Sequence, residues 1–120
     1  MCGGRLGSLI LTPNRTMPSR RTKALAIPKS VKERVYQRDG GRCIICGDYG
    51  YPNAHYISRA GTISGSGLGI EQNVVTLCQS CHAKYDQSVF REEYGAMIRG
   101  YLKRKYPDWD ENDLIYRKGM

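Results

Sequence analysis

Two Cys-x-x-Cys brackets, Cys43 with Cys46 and Cys78 with Cys81, constrain this chain more than any other feature. Brackets of this kind converge on one tetrahedral ion held by four thiolates, and zinc is the metal such a donor set selects. A chain of 120 residues builds one small core, so a metal staple is a natural supplement to burial. The expectation is one structural Zn2+ on those four sulfurs. Thiolate ligands persist where thiols stay reduced, which predicts a cytoplasmic location. The apolar run Leu9 to Leu11 is too short for a signal segment or a membrane span, so no membrane partner is expected. Cys2 is the odd cysteine and reads as a bystander.

His82 follows the second bracket directly, in "TLCQSCHAKYD". One reading makes it the fourth ligand of a Cys₃His site, with the other histidine an ordinary surface residue. The other reading closes the zinc with four cysteines, because structural zinc is four-coordinate, and leaves His82 for a separate task. His55 lies between the brackets, and a hairpin through that segment would return it toward the helix after Cys81.

Periodicity and turn residues predict an α+β domain. Residues 1 to 28 carry Gly, Pro and basic residues without apolar periodicity and read as a flexible basic arm, with the domain proper at 29–120. "SVKE" has the form of a capping box on Ser30 and Glu33, opening a helix with Val31 and Val35 on one face and ending at Gly40 and Gly41. "AHYIS" and "NVVTLC" read as strands. Between them, "RAGTISGSGLGIEQ" reads as a flexible glycine loop that matches neither a dinucleotide fingerprint nor a phosphate loop. A helix after Cys81 carries His82 and Asp86. A longer one from Ser88 repeats Val89, Phe90, Tyr94, Met97, Ile98, Tyr101 and Leu102 at helical spacing until Pro107, and a short terminal helix restarts at Asp110 with Trp109 and Tyr116 as anchors.

The net charge of +8 is unevenly placed: residues 1 to 38 hold nine Lys or Arg against one acid, Glu33, while the rest balances. A basic arm before a neutral domain suits a polyanion, because each cation that meets a phosphate releases a counterion. DNA is the expected partner, with Arg20, Arg21 and Lys23 as candidate contacts; a merely solubilising tail is the alternative.

The order "AHYISR", then Asn73, then "LCQSCH" resembles the HNH family of ββα-metal endonucleases, in the zinc-stapled form frequent in bacteriophage genomes. The nine positions from Asn73 to His82, with a Cys-x-x-Cys immediately before the last histidine, agree with that family's spacing, and the resemblance covers about residues 30 to 90. It implies a metal-dependent hydrolase of DNA phosphodiesters. His55 would be the base that activates water, Asn73 the residue fixing the loop that bears it, and His82 the ligand of a catalytic divalent ion (Mg2+, Mn2+, Ni2+ or Zn2+). Arg59 keeps register as a nucleic-acid contact. Asp86, four residues after His82, shares its helical face and is a candidate second ligand, with a solvated surface acid as the alternative.

The chain departs from the family at Ala54, where many members carry an Asp or His that binds the metal. Sliding the alignment by one residue would instead make His55 the ligand and put Tyr56 at the base position. Two rivals remain beside the nuclease: a non-catalytic zinc-ribbon DNA-binding protein, and an accessory module that meets terminase or other packaging proteins of a phage.

Overall fold

The computed structural model describes residues 19–60 and 65–116. Helix α1 (Arg20–Leu25) is followed by α2 (Lys29–Asp39), strand β1 (Tyr51–His55), a 3-10 turn (Glu71–Asn73), strand β2 (Val74–Leu77), helix α3 (Gln79–Asp86), helix α4 (Ser88–Lys105) and a second 3-10 turn (Glu111–Leu114). The architecture is α+β, as the patterning predicts. Strands β1 and β2 pair antiparallel, with Ala54 opposite Val75 and His55 opposite Val74, and with an irregularity between Tyr51 and Ala54.

Strand β2 is buried at every position, which explains its unbroken apolar and β-branched run. On one side α2 seats Val31 and Val35 against Val74. On the other, Ala54, Val75, Leu77, Tyr85, Ile98 and Leu102 form the main core together with Cys43, Cys78 and Cys81. Each large aliphatic side chain sealed there contributes about 1.5–3 kcal/mol. In α4, Tyr94, Ile98, Tyr101 and Leu102 share the packed face. Val89 and Met97 stand off that face and remain exposed, so the stripe read from the sequence is wider than the surface that packs. The chain leaves α4 before Pro107, and Trp109 then anchors the tail by stacking near Tyr56 and donating to the Gln72 carbonyl at 2.7 Å.

Three sequence expectations change. Helix α2 is capped at Pro28 rather than Ser30, with no side-chain cap bond, because the helix opens two residues earlier, on Lys29. It ends as expected, with Gly40 in the left-handed conformation. Within the expected arm, residues 20–25 form α1, capped by Ser19, and Leu25 is buried at 3% exposure while Arg20, Arg21 and Lys23 stay exposed. Residues 1–18 lie outside the described residues. The later half of the glycine loop is not loose either, since Ser66 and Leu68 are buried and Leu68 donates to the Leu114 carbonyl at 2.7 Å. Its glycines mark close approach of backbones, a use of glycine that composition does not separate from flexibility.

The charge count changes too. Arg38 is not a free surface cation: its side chain is 12% exposed and grips the fully buried carboxylate of Asp39 at 2.7 Å. It also donates to the carbonyls of Glu71 and Val74 and to the Tyr106 hydroxyl. Asp39 in turn accepts from the Thr76 amide and the Tyr101 hydroxyl, tying α2, β2 and α4 together. Arg34 pairs with Glu71. Two of the nine N-terminal cations are therefore neutralised within the fold.

Candidate functional site

The first Cys bracket sits in a turn between α2 and β1, closed by Cys43 N–H to the Asp48 carbonyl at 2.6 Å and held to β2 by Ile44 N–H to the Thr76 carbonyl at 3.1 Å. The second spans the end of β2 and the first turn of α3, where Cys78 is the N-cap and its sulfur accepts from the Cys81 amide. All four sulfurs lie within 4.8 Å of one another, and Cys46 and Cys78 are 3.5 Å apart. A tetrahedral zinc with bonds near 2.3 Å sets its sulfurs about 3.8 Å apart, so the spacing fits one ion. The protonation chemistry fits as well. Burial pushes the Cys43 thiol up, yet backbone amides of Cys46, Cys78 and Ile45 outweigh it and bring it down to about 7. Cys81 is pushed far up by burial and by the neighbouring sulfurs. One thiolate thus opposes the next, and a divalent cation among them removes that opposition. The four cysteines can hold a structural metal ion, and the set needs no histidine.

Both histidines line a cavity of about 180 Å³, where β1 and the segment after it face α3 and the start of α4. His55 and Arg59 enter from the strand side, His82 and Asp86 from α3. His82 Nε2 lies 3.8 Å from the Asp86 carboxylate, one helical turn away. Among the described residues, the cysteine set is the one group of three or more His, Cys, Asp or Glu side chains close enough for an ion, so no third such side chain, His55 included, stands close enough to share an ion with His82 and Asp86. Ala54 is fully buried and packed in the core, on the face away from this cavity. Tyr56 also turns away, toward Trp109 at 5.8 Å, which leaves His55 as the strand residue of that pair in the cavity.

His55 Nε2 lies 2.9 Å from the Leu25 carbonyl oxygen. Burial lowers the His55 pKa below 6.5, more than the Leu25 contact raises it, and the charges of Arg59 and His82 lower it further. The ring is therefore neutral at neutral pH. Asn73 is fully buried, and its carboxamide is completely used. Its oxygen accepts from the Ile57 amide at 2.8 Å, while its nitrogen donates to the carbonyls of Ile57 and Leu68. It staples the chain just after His55 to the loop before β2.

Arg20, Arg21 and Lys23 are exposed on α1, although Arg21 donates to the Ser66 hydroxyl at 2.6 Å. Two further cavity residues escaped the sequence reading. Asn53 stands two positions before His55 on the strand, a spacing that places both on one face. Arg91 comes from α4, with its guanidinium 5.0 Å above the Tyr85 ring and no carboxylate paired to it among the described residues. No local pattern marks Arg91, because only the packing of α4 against α3 brings it there.

Compared with protein-family models, with curated proteins and with solved structures, the chain finds no match in any of the three. No described helix is long and apolar enough to cross a membrane.

Proposed function

We propose that this protein is a metal-dependent DNA endonuclease of the HNH type, with a structural zinc on Cys43, Cys46, Cys78 and Cys81. The observation that carries the reading is the convergence of the two histidines of the sequence, from a strand and from the helix that follows the hairpin, on one cavity beside an acid and two arginines. The roles follow from chemistry. His55 takes the proton of the attacking water, since its ring is neutral at working pH. Asn73 holds the residues after His55 in place, and Arg59 and Arg91 bind phosphate oxygens. His82 and Asp86 would hold the catalytic divalent ion, with Asn53 as an oxygen donor from the strand face that Ala54 does not supply. That ion, when bound, stabilises charge on the phosphate and the leaving oxygen. Exposed Arg20 and Lys23 add affinity that does not depend on sequence.

A phage origin and packaging partners accord with the resemblance of the zinc-stapled motif to the form frequent in bacteriophage genomes. The sparse metal pair in the cavity favours one competing reading, a zinc-bearing DNA binder without turnover. Incubation of supercoiled plasmid with Mg2+, Mn2+ or Ni2+ separates the two. Nicking that EDTA abolishes is the expected result; retarded DNA without cleavage in all three metals supports the binder.

A further inference from the structure

Helix α1 lies outside the hairpin and helix that carry the candidate site, yet its last carbonyl reaches into it. A carbonyl oxygen only accepts, so the 2.9 Å contact makes Nε2 of His55 the protonated nitrogen and leaves the lone pair on Nδ1. No other hydrogen bond to the His55 ring is present among the described residues, so Leu25 alone selects the tautomer.

The backbone around that carbonyl is seated tightly. Leu25 is buried, and Gly69 N–H donates to the Ala24 carbonyl at 2.9 Å. A Cβ on Gly69 would stand 1.9 Å from the Ala26 carbonyl oxygen and 2.5 Å from its carbon. Both neighbours are main chain, so no side-chain rotation relieves that clash. The groups that touch Gly69, on Ala24 and Ala26, flank Leu25 directly.

We infer that residues 20–26 form a strap that sets the tautomer and orientation of His55, and that Gly69 is the positioning residue whose missing side chain lets the strap seat. The consequence for catalysis rests on the nuclease reading. A substitution at Gly69 then acts on turnover through backbone displacement, since Gly69 belongs neither to the lining of the histidine cavity nor to the cysteine set.

The test uses the full zinc-loaded chain with Gly69→Ala, and Gly100→Ala as a control whose Cβ meets only the flexible end of Arg104, at 3.5 Å. Long-range ¹⁵N–¹H spectra of the His55 ring, recorded where it is neutral, are expected to show one fixed tautomer in wild type and in the control. In Gly69→Ala the two ring nitrogens should move toward the averaged shifts of a free imidazole. Plasmid cleavage should lose about a hundredfold in kcat, the scale of a misplaced catalytic group, with KM and zinc content unchanged. If Gly69→Ala loses zinc or its cooperative melt, Ala24→Pro unravels α1 from the strap side and the same readouts apply. Averaged ring shifts in wild type, or a Gly69→Ala protein with wild-type shifts and kcat, would overturn the inference. A wild type that cuts no DNA with any metal would instead remove the nuclease reading, while the ring shifts still decide whether the strap sets the tautomer.

Discussion

Arg38 is where the structure makes its sharpest energetic claim. Replacing it with Met keeps a long apolar stem but removes the charge that meets Asp39, whose carboxylate is fully buried. Three further acceptors, the carbonyls of Glu71 and Val74 and the Tyr106 hydroxyl, lose a donor at the same time. The surviving Thr76 amide and Tyr101 hydroxyl are neutral donors and do not balance the stranded carboxylate. Breaking a buried pair from one side costs about 3–5 kcal/mol, which in a domain of this size lowers Tm by at least about 12 °C. Chemical denaturation of the zinc-loaded protein, with a thermal melt beside it, measures the loss. A second substitution separates charge from packing: Asp39→Asn should destabilise wild type yet recover about 1–2 kcal/mol in the Arg38→Met background, where it removes the stranded charge. An Arg38→Met protein within about 0.5 kcal/mol of wild type, the range of an ordinary surface change, would refute the reasoning. So would an Asp39→Asn effect of the same sign in both backgrounds.

Three other outcomes are expected. Purified protein should hold one zinc, and Cys43→Ser or a strong chelator should abolish the cooperative melt, because ion binding at such a site is folding free energy; metal analysis and circular dichroism check this. Glu71 is held below its ordinary 4.5 mainly by its hydrogen bond to Arg34. A lowered acid contributes stability above its unfolded pKa and loses it as pH falls through the folded value, so stability should drop on the acid side of 4.5 and Glu71→Gln should flatten that drop in melts across the range. Arg91→Ala should cut kcat on plasmid DNA about a hundredfold while Tm and zinc content hold, whereas an unchanged kcat would place Arg91 outside the reaction.

The four-cysteine set was legible because its information is local: four sulfurs in two short brackets need only a chain reversal to meet. The sequence order of His55, Asn73 and His82 carries the resemblance, and what the structure adds is that both histidines line one cavity and that Asn73 is buried with its carboxamide bonded to Ile57 and Leu68. Helix α1 was not legible, since six residues with one buried side chain show no period, and its place depends on Gly69 some forty residues on. Arg38 read as one more cation of the basic stretch 1–38 because its partners Tyr101 and Tyr106 arrive only when α4 packs. The glycines at 67 and 69 read as looseness for a similar reason: a missing side chain signals freedom in an isolated segment and contact in a packed one. Asn53 carried a usable signal, the two-residue spacing to His55 on a strand, whereas Arg91 carried none.

The central claim, that His55 and His82 serve one hydrolytic site, is tested most directly by metal-titrated cleavage of supercoiled plasmid with wild type, His55→Ala and His82→Ala, each checked for zinc content and DNA affinity. The account predicts that wild type nicks DNA only with an added divalent ion. It further predicts that both variants keep zinc and bind DNA as wild type does, yet lose cleavage at every metal concentration. Wild type that leaves the plasmid intact in Mg2+, Mn2+ and Ni2+, or a His55→Ala protein that cuts at the wild-type rate, would contradict it.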